Sequence, residues 1–232
     1  MTLDGRFRAR DDVAAAVGEA DSHAACKIYR PVYSGFMVTS KGAQTSGQLV
    51  ESMLELIQAR GYSGTGLNTV VNHAGAPKGS LYFHFPEGKE QLGEKAIELA
   101  AERFRSLLDE TAGAGASPGE VIRRVVEVLA RLVADSDFQL GCPVSVVTLE
   151  MGAHSERLRA VCAAAFESWI GPVREYLVAA GHSEAAARTL ATATVSAVEG
   201  AVIMARAKRD VEPLHSTAQL LAALLDQPGA VA

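Results

Sequence analysis

Taken as a string of apolar and polar positions, the chain is patterned for helices from about residue 45 onward. Val50, Met53, Leu54 and Ile57 recur at i, i+3, i+4 and i+7, which predicts a core-facing helix over 45–59 that Gly61 ends. Two short patterns follow. Leu67, Val70 and Val71 lie at helical spacing, Ala74-Gly75-Ala76-Pro77 interrupts them, and Leu81 and Phe85 then fall on one side with Lys78, Ser80, Tyr82 and His84 largely on the other. Either Thr65 or Gly66 caps the first of these, Thr65 having the better capping side chain. Longer stripes predict helices over 88–111, 118–134, 142–152, 155–180, 183–208 and 213–226, with loops at 112–118 and 135–141 and a kink at Gly171-Pro172. Strand-type alternation interrupts none of this, so the fold class is all-α. Residues 1–43, punctuated by Gly, Pro and Ser, are expected to be a poorly ordered extension, 44–90 a small three-helix domain, and 91–227 a larger helical domain.

The pair of short patterns over 67–85 carries the chemistry. Gly75 can take a left-handed conformation and stop the first helix, and Pro77, which lacks an amide hydrogen, suits the first turn of the next. Two short helices joined by a glycine-containing turn make a helix-turn-helix, whose second helix enters the DNA major groove. Lys78 can neutralise a phosphate, Ser80 and Tyr82 can hydrogen-bond a phosphate or a base edge, and Gly79 allows close backbone approach. Thr65, Asn68 and Thr69, around the start of the preceding helix, are further candidates for DNA contact, and the free amides there can donate to a phosphate. Pro77 and His84 complete the set on the second helix. Tyr62 is read as a core plug with a backbone contact to DNA as its alternative, and Phe83 as either core or surface.

Charge sharpens this picture. The chain has 22 basic and 27 acidic residues in 232, a net charge of −5, which argues against indiscriminate coating of nucleic acid. Yet no Asp or Glu occurs from Leu56 to Pro86, where the average density would place about three or four, as a surface facing a polyanion requires. Residues 37–90 balance four basic against four acidic side chains, and 91–232 hold 13 against 18, so the acidic excess belongs to the C-terminal part. At the N-terminus, Arg6, Arg8 and Arg10 make either a basic arm, offset by Asp4, Asp11 and Asp12, or part of an overlong start ahead of Met37. Cys26, Cys142 and Cys162 have no metal-ligand spacing and make no even framework, which fits a reducing cytosol; no signal peptide and no uncharged membrane-length apolar run is evident.

Gly61-Tyr62, Thr65, the run Ala74-Gly75-Ala76-Pro77-Lys78-Gly79-Ser80-Leu81-Tyr82-Phe83-His84-Phe85 and Lys89-Glu90-Gln91-Leu92 together resemble the DNA-binding domain of the TetR (tetracycline repressor) family. The wording through Lys89-Glu90 is most similar to the lincomycin-resistance-repressor (LmrA/YxaF-like) branch, as is the later Gly141-Cys142-Pro143. Close matching covers about residues 44–98. Val71 departs from the family, which usually has a small residue there. The resemblance implies a ligand-responsive transcriptional regulator with a double-stranded DNA operator as partner, probed by a homodimer built on the last two long helices. It implies a phosphate contact for Lys89, whose alternative is a solvated lysine paired with a nearby glutamate. It implies no cofactor, metal or catalysis. It also implies a pocket for a small apolar or aromatic effector, for which Phe104, Phe138, Cys142, Val146, Met151, Phe166, Trp169 and Met204 are candidate lining residues and Glu150, His154 and Glu199 candidate polar groups.

The rival class is a helical enzyme with Cys142 and His154, or Cys162 and His182, as nucleophile and base, or a helical adaptor without DNA binding. Neither cysteine stands in a nucleophile turn, and the sequence has no glycine-rich phosphate loop, metal spacing or cofactor fingerprint. The expected mode is repression, by a dimer on a pseudo-palindromic operator that a small apolar or aromatic ligand releases; the residues alone leave activation open as the alternative.

Overall fold

The computed structural model describes residues 41–112 and 115–227; the expected N-terminal extension and its Arg6, Arg8 and Arg10 lie outside the described residues. Those described form nine helices: α1 (Lys41–Arg60), α2 (Leu67–His73), α3 (Ser80–His84), α4 (Lys89–Ala112), α5 (Pro118–Asp135), α6 (Pro143–Met151), α7 (Glu156–Ala179), α8 (Glu184–Lys208) and α9 (Glu212–Leu225). Among the described residues there is no strand. Helix α1 begins at Lys41, ahead of the expected Thr45, and its apolar stripe buries Leu49, Met53, Leu54, Leu56 and Ile57. Its end at Gly61 has the cause the sequence implied: φ is +80° there, and the Gly61 amide still donates to Ile57 O.

Serine caps start three of the helices of the C-terminal part. Ser117, Ser155 and Ser183 each accept from the backbone amide three residues on, satisfying one of the free donors at the starts of α5, α7 and α8. Helix α7 runs through Gly171-Pro172 without ending, so the proline falls inside one helix from Glu156 to Ala179. The 135–141 break is a turn in which Asp137 and Phe138 both take positive φ (52° and 60°). Arg206 on α8 holds it by donating to the carbonyls of Phe138 and Gln139.

Two apolar clusters fill the interior. The first joins α1, α2 and α3 to α4, α6 and the first half of α7, through Leu49, Ile57, Val70, Leu81, Phe85, Leu92, Ile97, Val144, Leu158 and Trp169. Tyr62 belongs to it, its ring lying so close to Gly93 on α4 that a Cβ there would meet it at 2.6 Å. The second cluster packs α5, the end of α7, α8 and α9, around Val126, Leu177, Ala191, Val198, Val202, Leu214 and Ala222. Small residues on the inner face of α8 (Ala187, Ala191, Ala201, Ala205) let its neighbours come close. By length and composition α8 is apolar enough to cross a membrane, but 44% of its apolar window is buried against the rest of the chain. That is the composition of a bundle helix with two apolar faces.

Candidate nucleic-acid interface

Helices α2 and α3 are shaped by their junction. Gly75 takes φ +62°, its amide donates to Asn72 O, and the amide of Ala76 reaches back to Val71 O. These are the two bonds of a Schellman motif, with Val71 and Ala76 as its apolar pair. The bulky Val71 is therefore housed, 5% exposed, inside the small core under the turn. Pro77 does not enter the first turn of α3, contrary to the expectation. It opens a tight turn in which the Ser80 amide and hydroxyl both donate to its carbonyl (2.9 and 2.6 Å), and Gly79 is the residue before the helix. Pro77's free φ-locked ring thus sets the entry angle of α3 without being part of it.

The outward face of this pair is polar and aromatic. Lys78, Gly79 and Asn68 are exposed, Thr69 and Ser80 are half-buried, and Tyr82 is 63% exposed. Leu81 and Phe85 face inward, as their spacing required. His84 is half-buried with its ring against Phe83 and Phe85. Thr65 is a correction: it is 1% exposed, its hydroxyl donates to Gly61 O at 2.7 Å, and Gly66, in extended conformation, caps α2 with no side-chain bond. A hydroxyl that can close a turn with its own backbone competes with capping the next helix, and here the turn wins. Thr65 accordingly has no surface for a phosphate.

Lys89, the first residue of α4, places its ammonium 4.4 Å over the Tyr62 ring. Burial lowers its pKa, with Glu150 acting the other way, and burial together with Glu90 pushes the Tyr62 phenol up to about 12. Glu150 is a second correction. It does not face the interior of the body; from α6 its carboxylate accepts the Ser63 amide at 2.6 Å, in the loop ahead of α2. Gln58 to Gly141 O and Ser155 to Glu90 add further ties between α1–α4 and the segments flanking α6, while the Arg103–Glu51 pair joins α4 to α1.

The expected lining residues divide. Phe104 and Phe166 meet Trp169 at 4.7 and 5.5 Å between ring centres, and Trp169 donates to Ala101 O at 3.2 Å. Cys142, Val146 and Met151 pack on the same cluster. Phe138 instead packs on the second cluster, under the Arg209 guanidinium, and Met204 is 55% exposed, so neither joins the others. His154 is exposed. An open groove of about 270 Å³ lies between α4 and α7, bordered by Glu98, Ala101, Glu102, Arg105, Val161 and Ala165, none of them among the expected lining.

Glu199 on α8 reaches the first cluster. It accepts from Ser145 Oγ, a partner the sequence reading missed because nothing in the spacing relates α6 to α8. Burial raises the pKa of Glu199, against the Ser145 and Cys142 bonds that lower it. Burial also raises the Cys142 thiol well above its ordinary value, followed by the Glu199 charge, and raises Cys162, whose polar partner is Thr148. His182 Nε2 pairs with Leu225 O instead of a thiol. Neither cysteine therefore has the imidazole partner that a nucleophile requires. Among the described residues no group of three or more His, Cys, Asp or Glu is placed to hold a metal.

Comparison with known proteins agrees with this geometry. Residues 49–96 match the model of bacterial regulatory proteins of the tetR family, and 118–220 match that of the transcriptional regulator LmrA/YxaF-like C-terminal domain. The chain is 31% identical to the HTH-type transcriptional regulator YxaF of Bacillus subtilis, over 83% of its own length and 100% of the relative's. It is 33% identical to the HTH-type transcriptional regulator LmrA of the same organism, over 72% and 89%. Among solved structures, a regulatory protein TetR from Rhodobacter sphaeroides superposes with a TM-score of 0.70 at 26% identity, covering 77% of this chain and 97% of that one. A TetR transcriptional regulator from Chloroflexus aurantiacus gives 0.69 at 28%, covering 81% and 97%. The relatives and the fold are those of regulators rather than enzymes. With a helix-turn-helix at one end and an LmrA/YxaF-like body behind it, the chain belongs to the TetR family of transcriptional regulators.

Proposed function

We propose that the chain is a dimeric repressor that holds a pseudo-palindromic operator and leaves it when an apolar or aromatic effector enters the body. The observation that carries the DNA-binding half is the exposed, acid-free face of α2–α3, with Lys78 and Tyr82 outward over a core of Val70, Leu81 and Phe85. Asn68, Thr69 and Ser80 flank it, and Lys89 adds a phosphate contact by turning away from the Tyr62 ring. TetR-family regulators bind DNA operators as dimers. A second copy fits the outer faces of α8 and α9, where Ile203, Met204, Leu220 and Leu224 stand exposed, four of the six large apolar side chains that the body leaves exposed among the described residues. Two readers then address half-sites about 34–36 Å apart or a multiple of it.

The effector's place is the first cluster between α4, α6, α7 and α8. Phe104, Phe166 and Trp169 offer aromatic faces there, and Glu199 with Ser145 offers a polar contact. The same helix α6 that carries Ser145 carries Glu150, whose bond to Ser63 reaches the loop ahead of α2. Moving α6 therefore moves the reader. To take the dimer from 1:99 to 99:1 between two conformers, the effector must prefer one of them by about 5.5 kcal/mol. Gel shift on the DNA immediately upstream of the gene tests the reading. Lys78→Ala and Tyr82→Ala are expected to weaken binding at least several-fold with helicity and dimerisation unchanged. Binding equal to wild type in both variants would remove the proposed face.

A further inference from the structure

Phe83 is 81% exposed, more than any other large apolar side chain described, and it lies on α3 next to the 63%-exposed Tyr82. Leaving a phenylalanine in water forgoes the stabilisation that its burial would bring. Nothing in the fold requires that exposure: Leu81 and Phe85 already supply the inward face of α3. The ring is also propped, standing edge-on to His84 at 5.0 Å and 84°, while His84 itself is half-buried beside the start of α1. The stretch that holds it, Leu56 to Pro86, contains no Asp or Glu, as a surface that faces a polyanion requires. A phenyl ring has no donor or acceptor and cannot read the hydrogen-bond code of a base edge. The one apolar mark in the major groove is the C5-methyl group of thymine.

We propose that Phe83 reads a thymine in each half-site by packing on its methyl group. The proposal rests on α3 being the reading helix and adds to it the chemistry of one recognised base. A ring set against deoxyribose would bind without selecting a base, and a ring covered by a second copy of the chain would not touch DNA; both are outcomes the test separates.

The probe is a duplex selected by the full-length protein from a randomised library, with each thymine replaced singly by deoxyuridine, which deletes only the methyl group. Wild type is expected to lose roughly fourfold in affinity at one thymine per half-site, the value of about 0.8 kcal/mol for one buried methyl(ene). Phe83→Ala is expected to be indifferent to deoxyuridine at that thymine while keeping any sensitivity elsewhere, and Phe83→Leu, still apolar, is expected to keep part of the preference. Wild type indifferent to every replacement, or Phe83→Ala with the wild-type pattern, would overturn the proposal. So would a Phe83→Ala that binds all the duplexes uniformly more weakly with the methyl dependence intact. Lys78→Ala and Tyr82→Ala run in parallel keep the two levels apart: normal binding by both removes α3 as reader, whereas reduced binding without a methyl effect removes Phe83 alone.

Discussion

Gly61 and Gly75 both take positive φ, +80° and +62°, yet substitution is expected to act differently at each. Around Gly75 nothing lies within 4 Å of an added Cβ, so Gly75→Ala carries only the cost of a left-handed alanine, about 1–2 kcal/mol, and Gly75→Asn less. At Gly61 the added Cβ would fall on Glu150 Oε1. The carboxylate can swing away, but only by giving up the Ser63 amide, so Gly61→Ala is expected to cost a further ~1 kcal/mol. Denaturant unfolding of the single and double variants checks this: the excess at Gly61 should vanish in a Glu150→Ala background, and an excess that persists there would mean that Glu150 is not its source. The same residue scale shows where sequence is a poor guide. The positive φ at both glycines followed from their places after apolar stripes. The inward turn of Thr65 did not, because a hydroxyl four residues from a free carbonyl has two competing local partners and spacing does not rank them.

Between elements, Glu199 is the carboxylate among the described residues whose pKa is raised on balance, burial being the largest cause, and it stands where α8 meets α6. The groups bearing on it, Ser145 and Cys142, carry no positive charge. The folded chain therefore keeps this proton to higher pH than the unfolded chain, whose carboxyl titrates at its ordinary value. Its contribution to stability is complete below that ordinary value and is lost as pH rises through the raised folded one. Exposed Glu156 and Glu212, held low by bonds to Arg159 and Ser216, contribute with the opposite sign and lose their part as pH falls. Glu199→Gln keeps the acceptor for Ser145 and removes the titration. Its melting temperature is expected to lie above wild type at neutral pH, with the difference shrinking toward about pH 5; a constant difference would place the effect elsewhere. The long elements were legible because a stripe such as Val50, Met53, Leu54 and Ile57 repeats over several turns. Partnership between elements was not. Periodicity put Met204 on an apolar face of α8, but α8 has two such faces, and only packing shows that Val198, Ala201, Val202 and Ala205 take the inner one. Glu150 on α6 looked like a polar group for a pocket because a sequence does not say which neighbour a charged side chain meets.

For the whole molecule, the question is how an acidic chain holds a polyanion. With a net charge of −5 it has no long-range attraction to DNA beyond what its local face supplies. Binding must then come from a countable set of phosphate contacts, and each one released by salt leaves its mark on the slope of log affinity against log salt, about −0.9 per phosphate. Lys78 is exposed on the acid-free face and is expected to hold one phosphate per reader. In a dimer with both readers seated, Lys78→Ala removes two contacts, so the slope should become shallower by roughly 1.8; a single seated reader would give roughly 0.9. The measurement is a titration of full-length protein against one operator duplex at several salt concentrations between about 0.1 and 0.3 M. A second series with Phe83→Ala should leave the slope unchanged even where affinity falls, because a ring on a methyl group releases no counterion. Salt slope and base selectivity thus separate the two jobs that α3 and its turn combine: charge that grips any duplex, and an exposed ring that distinguishes one sequence from another.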